Sequence, residues 1–247
     1  MPEIRSVMVD AVSESPFRRP KCDAIVLIDV LCDTTTLVTA MAQGRQTFPS
    51  PNAPAALQVA RSLREPLLAA SDTETWRAGF EMFNSPSALA ARTDVRPFVL
   101  SCWVGATLAE NAHSWPDVYL ACFRNLSATA RQLTLRHKRV LILNAPHDTD
   151  VRCEDQIAAG RIVGALASAG FMPSGIGTRE TLDRWGRADV KLATWGRSAE
   201  ELRRRRREAD VEFVLSHVDD VDIACTYAKG RLVTAVSAPL ERESALA

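Results

Sequence analysis

The chain has 247 residues, 47% of them apolar, with thirty Lys and Arg against thirty Asp and Glu. That length suits one large α/β domain or two small ones, and the apolar share is enough to fill a core. A formal net charge of +0 leaves no global field to draw in nucleic acid or an anionic membrane, so any charge-based recognition has to be local.

Residues 1–21 read as a lead-in segment with little core that contributes one edge strand. Residues 22–240 read as a single α/β domain. The N-terminus lacks the charged-then-apolar pattern of a signal peptide, and no apolar run reaches the roughly 18 residues of a membrane span. Six cysteines with no C-x-x-C pair argue against a zinc ribbon. They predict free thiols in a reducing, cytoplasmic setting. Cys102 and Cys122 lie in apolar runs and read as small buried hydrophobes.

The run Ala24–Val30 is β-branched and lacks a helical period, as a buried parallel strand does. Thr34–Ala42 then places Leu37, Val38 and Met41 on one helical face, with Gly44 as its stop. A helix is predicted over 54–64 from its start and stop signals. Strands follow at 97–103, 117–123 and 138–145. Helices follow them at 105–115, 127–137 and 153–169. This alternation predicts an α/β fold with a mainly parallel or mixed sheet and helices on both faces. Residues 179–217 read as largely helical. The runs 221–227 and 231–236 read as a closing C-terminal β-hairpin. Five arginines at 203–207 lie among Glu200, Glu201, Glu208 and Asp210, which predicts a solvated helix with i,i+4 ion pairs.

No G-x-G-x-x-G, Walker A, G-x-S-x-G or H-E-x-x-H signature is present. The chemistry must therefore come from side chains gathered at strand ends, which share one edge in a parallel sheet. After the first strand come Asp29, Cys32, Asp33 and Thr34–Thr36. After the second come Ser101, Cys102, Trp103 and Gly105. Arg124, Asn125 and Ser127 follow the third. Asn144, His147, Asp148, Asp150, Glu154 and Asp155 follow the fourth. Carboxylates in such a cleft hold Mg²⁺ or act as acid and base, while hydroxyls and helix N-termini bind anions. Plainer roles compete. Thr34–Thr36 are suited to capping a helix, and Glu154 and Asp155 suit any helix start. Asp29 is harder to explain as scaffold, because a carboxylate at the end of an apolar strand needs a partner.

The order and spacing of these segments resemble the 2-phosphosulfolactate phosphatase family over residues 24–236. Its Asp-Val-Leu-Arg-Ala-Thr/Ser-Thr-Thr strand end is similar to Asp29-Val30-Leu31-Cys32-Asp33-Thr34-Thr35-Thr36. Its Gly-Phe-x-x-x-Asn-Ser-Pro turn is matched by Gly79, Phe80, Asn84, Ser85 and Pro86. Phe123, Asn125, Ser127 and Ala128 match a Phe-x-Asn-x-Ser-Ala element. Glu154, Asp155, Ala159 and Gly160 match a helix start. The resemblance implies an α/β fold, a Mg²⁺-dependent phosphatase ancestry in coenzyme M biosynthesis, and a small-molecule substrate.

The departures fall on the chemistry. Cys32 replaces a family arginine. Ser71 and Asp72 stand at the Glu and Arg positions of a Gly-Glu-Arg-Gly loop. Ser101–Ala106 replaces a Thr-Thr-Thr-Asn-Gly-Thr turn, and 223–230 lacks the family's late acidic residue. Two guanidiniums suited to gripping a phosphate dianion are thus replaced, and the region becomes more acidic.

The leading expectation is a diverged enzyme that expels phosphate or sulfate from a small polar metabolite. Water, or an amine within the substrate that closes a ring, would be the attacking group. Asp29, Asp33 and Asp72 are the catalytic candidates. Cys32, Thr34, Thr35, Asn84, Ser85, Trp103, Arg124, Asn125 and His147 are the substrate-binding ones. Glu154 and Asp155 are the metal candidates. The alternatives are a Mg²⁺-dependent phosphatase of the family type and a non-catalytic homologue that binds a ligand or a partner protein. A homodimer is the default assembly.

Overall fold

The computed structural model describes residues 4–11, 21–71, 79–111, 114–145 and 152–235. Asp72, His147, Asp148 and Asp150 lie outside the described residues. The strands are β1 (Ser6–Ala11), β2 (Ala24–Ile28), β3 (Thr47–Ser50), β4 (Leu67–Ala70), β5 (Met82–Phe83), β6 (Phe98–Ser101), β7 (Asp117–Ala121), β8 (Arg139–Asn144), β9 (Met172–Pro173), β10 (Cys225–Ala228) and β11 (Arg231–Thr234). The helices are α1 (Asp33–Ala42), α2 (Ala53–Ala60), α3 (Pro86–Ala90), α4 (Trp103–Asn111), α5 (Leu126–Arg136), α6 (Cys153–Ser168), α7 (Ile176–Trp185), α8 (Arg197–Arg204) and α9 (Glu208–Ser216).

The sheet order is β5-β4-β6-β3-β11-β10-β7-β2-β8-β1-β9. Neighbours on either side of the β10–β11 hairpin pair in parallel. The hairpin pairs antiparallel with β7 on one side and with β3 on the other. The predicted closing hairpin therefore exists, but it sits between two parallel blocks rather than at an edge. The lead-in strand β1 lies one place inside the edge, because β9 pairs outside it.

Alternation along β2 decides the layers. Ala24, Val26 and Ile28 face a core shared with α5 and α6. Ile25 and Leu27 face a core shared with α1, α3 and α4. Helices consequently cover both faces, as the α/β reading requires.

The topology bears directly on where strand ends meet. Three antiparallel steps through the hairpin make the two parallel blocks run in opposite senses. On a flat sheet their carboxyl ends would lie on opposite edges. Between β4 and β2 there are six strand-to-strand steps. Ordinary twist of roughly 20–25° per step accumulates to about 120–150°, which swings the blocks back toward a common direction. The ends of β2, β4, β5 and β6 do meet, through Asp33, Ser71, Asn84 and Val104. The α4 helix enters this region closely: a Cβ on Gly105 would lie 2.2 Å from the Ser50 carbonyl oxygen.

Candidate active-site cleft

The cleft is built from the turn after β2. The strand ends at Ile28, two residues before the predicted end, and Asp29 and Val30 lead into α1. The Thr34 hydroxyl donates to the Asp29 carbonyl at 2.7 Å and accepts from the Asp29 N–H at 3.2 Å. The Thr35 hydroxyl donates to the Val30 carbonyl at 2.7 Å. Both threonines are buried, and they tie the turn to the helix instead of facing a ligand. The structure places both hydroxyls on the backbone of the turn rather than among the residues lining the cavity.

Asp33 opens α1 and is almost fully buried. Its Oδ1 accepts from Asn84 Nδ2 at 2.6 Å and Ser71 Oγ at 3.2 Å, and its Oδ2 from the Val104 N–H at 3.1 Å. Burial pushes this carboxyl up, and those hydrogen bonds, with one from Cys102, pull against it. Asp29 has less relief. Burial comes first, then the charges of Asp33, Asp155 and Glu154, and together they hold its carboxyl well above the usual range. Asn84 must aim its amide nitrogen at Asp33, which leaves Oδ1 as a buried acceptor with no partner among the described residues.

Asp29, Leu31, Cys32, Asp33, Ser71 and Asn84 form one side of a cavity of about 130 Å³. By the same measure one water needs roughly 10–15 Å³, so the cavity is on the scale of a small metabolite. The rest of its lining comes from α8 and from the junction that follows it: Ser198, Glu201, Leu202, Arg205 and Arg207.

That junction corrects the reading of the arginine run. Arg204 does pair with Glu200 on the solvent face, as expected. The helix then stops at Arg204, and Arg206 takes a positive φ of 56°. Arg205 and Arg207 are turned to the cleft. Arg207 is fixed. It donates to Asp210 Oδ2 from Nε at 2.8 Å, and to the Asn84 carbonyl from its terminal nitrogen. Asp210 is buried and also accepts from Ser85 Oγ at 2.6 Å, Ser87 Oγ at 2.6 Å and the Ser87 N–H at 3.1 Å. Ser85 also caps α3 by accepting from the Ala88 N–H at 3.2 Å. It is therefore a tether, not a cleft residue.

Cys32 packs with Ala199, Leu202 and Val211 of α8 and α9. Burial pushes its thiol well up, and Arg207 is the charge that pulls it down. A thiol so placed is a poor nucleophile.

Several other expectations move out of the cleft. Arg124 is held by Asp220 through Nε at 3.0 Å and a terminal nitrogen at 2.7 Å, and donates to Thr39 Oγ1 at 2.9 Å. It is therefore spent on joining α1 to the segment before β10. Asn125 is fully buried, accepting from the Cys122 N–H and donating to the Leu120 and Ile223 carbonyls. Trp103 packs against the core shared by α1 and α4. Asp155 accepts from the Val30 N–H at 2.8 Å and so braces the turn from behind. Glu154 faces Gly196 and Ser198, and its Oε2 has no partner among the described residues. Neither lines the cavity.

The Mg²⁺ expectation meets a mixed donor set. Among the described residues no three metal-ligating side chains gather closely enough to cage an ion. Glu154 and Asp155 lie behind the turn after β2 and do not line the cavity. Asp29 and Asp33 do fit the chemistry of Mg²⁺, a hard cation that takes one or two carboxylates and completes its shell with water and phosphate oxygens. Burial of the mutually repelling Asp29, Asp33, Glu154 and Asp155 is the observation that favours a cation there.

Sequence reasoning missed Ser198, Glu201, Arg205, Arg207 and Asp210. No local pattern marks them, because only the end of α8 at Arg204 turns Arg205 and Arg207 to the cleft.

Comparison with known proteins finds relatives of one kind. A protein from Symbiobacterium thermophilum is 34% identical over 146 residues, covering 58% of this chain and 63% of its own length. One from Caldanaerobacter subterraneus is 25% identical over 148 residues, covering 58% and 61%. One from Pseudothermotoga lettingae is 28% identical over 209 residues, covering 84% and 91%. All three are named probable 2-phosphosulfolactate phosphatases. The chain thus spans less than two thirds of the first two relatives and most of the third. The family model described as 2-phosphosulpholactate phosphatase matches residues 10–230, which takes in every strand from β2 to β10 and the whole cleft. With the helix-covered parallel blocks and the acidic turn after β2 in place, the chain belongs to the 2-phosphosulpholactate phosphatase family.

Proposed function

We propose that this cleft hydrolyses a phosphomonoester of a small acidic metabolite, of the 2-phosphosulfolactate type named for its relatives. The observation that carries the reading is one small cavity lined both by the buried carboxylates Asp29 and Asp33 and by Arg205 and Arg207. Carboxylates alone would repel a phosphoryl dianion. Asp29 and Asp33 are the residues that would hold Mg²⁺, which supplies charge neutralisation of the phosphoryl oxygens when bound. The arginine-lined part of the cavity supplies the complementary positive charge. Asn84 Oδ1, fixed as an acceptor by the bond from its nitrogen to Asp33, orients a water or a substrate hydroxyl.

Displacement by a substrate amine has no support in this site. Two arginines line the same cavity as Asp33, and their positive charge disfavours a cationic amine there. The test is release of inorganic phosphate and sulfate from small esters, 2-phosphosulfolactate and amine-bearing esters among them, with Mg²⁺ or with chelator. The expected result is phosphate release that needs Mg²⁺. Release only from amine-bearing esters without metal would overturn the reading. No release from any ester would favour a non-catalytic binding homologue.

A further inference from the structure

The family pattern places an arginine where this chain has Cys32, so the grip on an anion must come from elsewhere or be lost. The cleft shows where it comes from. Cys32 is small, and α8 and α9 pack directly on it through Ala199, Leu202 and Val211. The arginine-rich α8–α9 junction lines the same cavity as Cys32. The two cleft arginines are not equivalent. Arg207 is neutralised by Asp210 and pinned to the Asn84 carbonyl, so its charge is already committed. Arg205 lines the same cavity, is exposed, and its guanidinium has no ion-pair or hydrogen-bond partner among the described residues. Its backbone is set by the last turn of α8, where its N–H donates to the Glu201 and Leu202 carbonyls.

We infer that Arg205 is the residue that binds a tetrahedral oxyanion of the substrate, with Arg207 as the positioning residue that holds the α8–α9 junction over the cleft. A free guanidinium offers a planar fork matched to two oxygens of such a group, and it is weakly hydrated enough to leave water for it. The anion grip of this cleft then comes from the α8–α9 junction and not from position 32. This assignment rests on the phosphoryl-site reading of the cleft and names the residue that selects for charge there. Phosphoryl and sulfonyl groups share the chemistry, and the two are separated by the probe.

The test is titration calorimetry of the full chain with inorganic phosphate and, separately, with methanesulfonate. Arg205→Ala should weaken binding of at least one probe by about tenfold or more, the loss of a charge-assisted hydrogen bond. Arg205→Lys should recover only part of it, because the charge remains and the fork does not. Arg204→Ala, which removes the neighbouring guanidinium on the solvent face, should leave both affinities unchanged. Loss with phosphate alone identifies the phosphoryl group, and loss with methanesulfonate alone identifies a sulfonate. Equal affinities of wild type and Arg205→Ala for both probes, or no binding of either by wild type, would overturn the assignment. Arg205-dependent binding in a protein that releases no phosphate from any ester would support the assignment while defeating hydrolysis. Full turnover in Arg205→Ala with unchanged probe affinity would do the reverse.

Discussion

Replacing Asp210 by alanine tests whether the cleft's second wall is fastened as described. Asp210 is 2% exposed and accepts from two serine hydroxyls, one backbone N–H and Arg207. Removing it leaves the Arg207 guanidinium without its carboxylate and Ser85 and Ser87 without their acceptor. Breaking a buried pair by deleting one partner costs about 3–5 kcal/mol. The Arg207 side chain keeps 18% of its exposure, so water relieves part of the loss and the lower end, about 3 kcal/mol, applies. For a chain of this size that is a fall in Tm of about 6–12 °C. Urea unfolding followed by tryptophan fluorescence measures it, with Asp210→Asn as the milder variant that keeps one acceptor oxygen. Because Arg207 and Arg205 share the junction, phosphate affinity should fall with stability. An Asp210→Ala protein within about 0.5 kcal/mol of wild type would refute the tether, since that is the range of an unremarkable surface change.

Three further outcomes follow from the same geometry. Asp29→Asn should abolish turnover and yet stabilise the protein by about 1–2 kcal/mol in chelator at neutral pH, read as a rise in Tm. The sign follows from a folded-state carboxyl held above its ordinary value of 3.8: wild type loses stability as pH rises toward that raised value, so the gap to the amide should close in acid. His137 gives the opposite slope. Burial lowers it from 6.5, against the charges of Asp117 and Asp23 and with that of Arg136, while its ring meets the Tyr119 hydroxyl at 2.9 Å. The unfolded chain then takes the proton first, so stability falls as pH drops below about 6.5, and His137→Gln should flatten that part of the Tm profile. Alkylation of the native protein with iodoacetamide, read by peptide mass, should modify Cys22 and Cys153 well before Cys32, Cys102, Cys122 and Cys225, which are buried. Rapid labelling of Cys32 would contradict the packing of α8 and α9 over it.

Much of the fold was legible because long buried strands and amphipathic helices carry their own pattern. Ala24–Ile28, Asp117–Ala121 and Arg139–Asn144 lie within predicted runs. The short strands were not legible. Four residues at Thr47–Ser50 give too little alternation to register, and Pro49 reads as a breaker. It is tolerated because β11 pairs with β3 only at Thr47, leaving no ladder bond at Pro49 to lose. The site was half legible. Asp29, Cys32 and Asp33 follow from where a strand ends, and Asn84 from the family resemblance. Arg124 and Asn125 look identical in sequence, yet buried carbonyls and Asp220 had already claimed them. No local pattern reveals which polar groups the packed chain satisfies internally. The arginine wall was hidden for a related reason: charges on a helix read as solvated until the helix is known to end.

The central claim is that one cavity gathers a divalent cation on its acidic side and an oxyanion against its arginines. Anomalous diffraction from crystals grown with Mn²⁺ and tungstate tests it most directly, because each ion scatters at its own edge. The account predicts a manganese peak at Asp29 and a tungstate peak within reach of Arg205, in the same cleft. Both ions bound elsewhere, with this cleft empty in crystals of a protein that releases phosphate in solution, would contradict it.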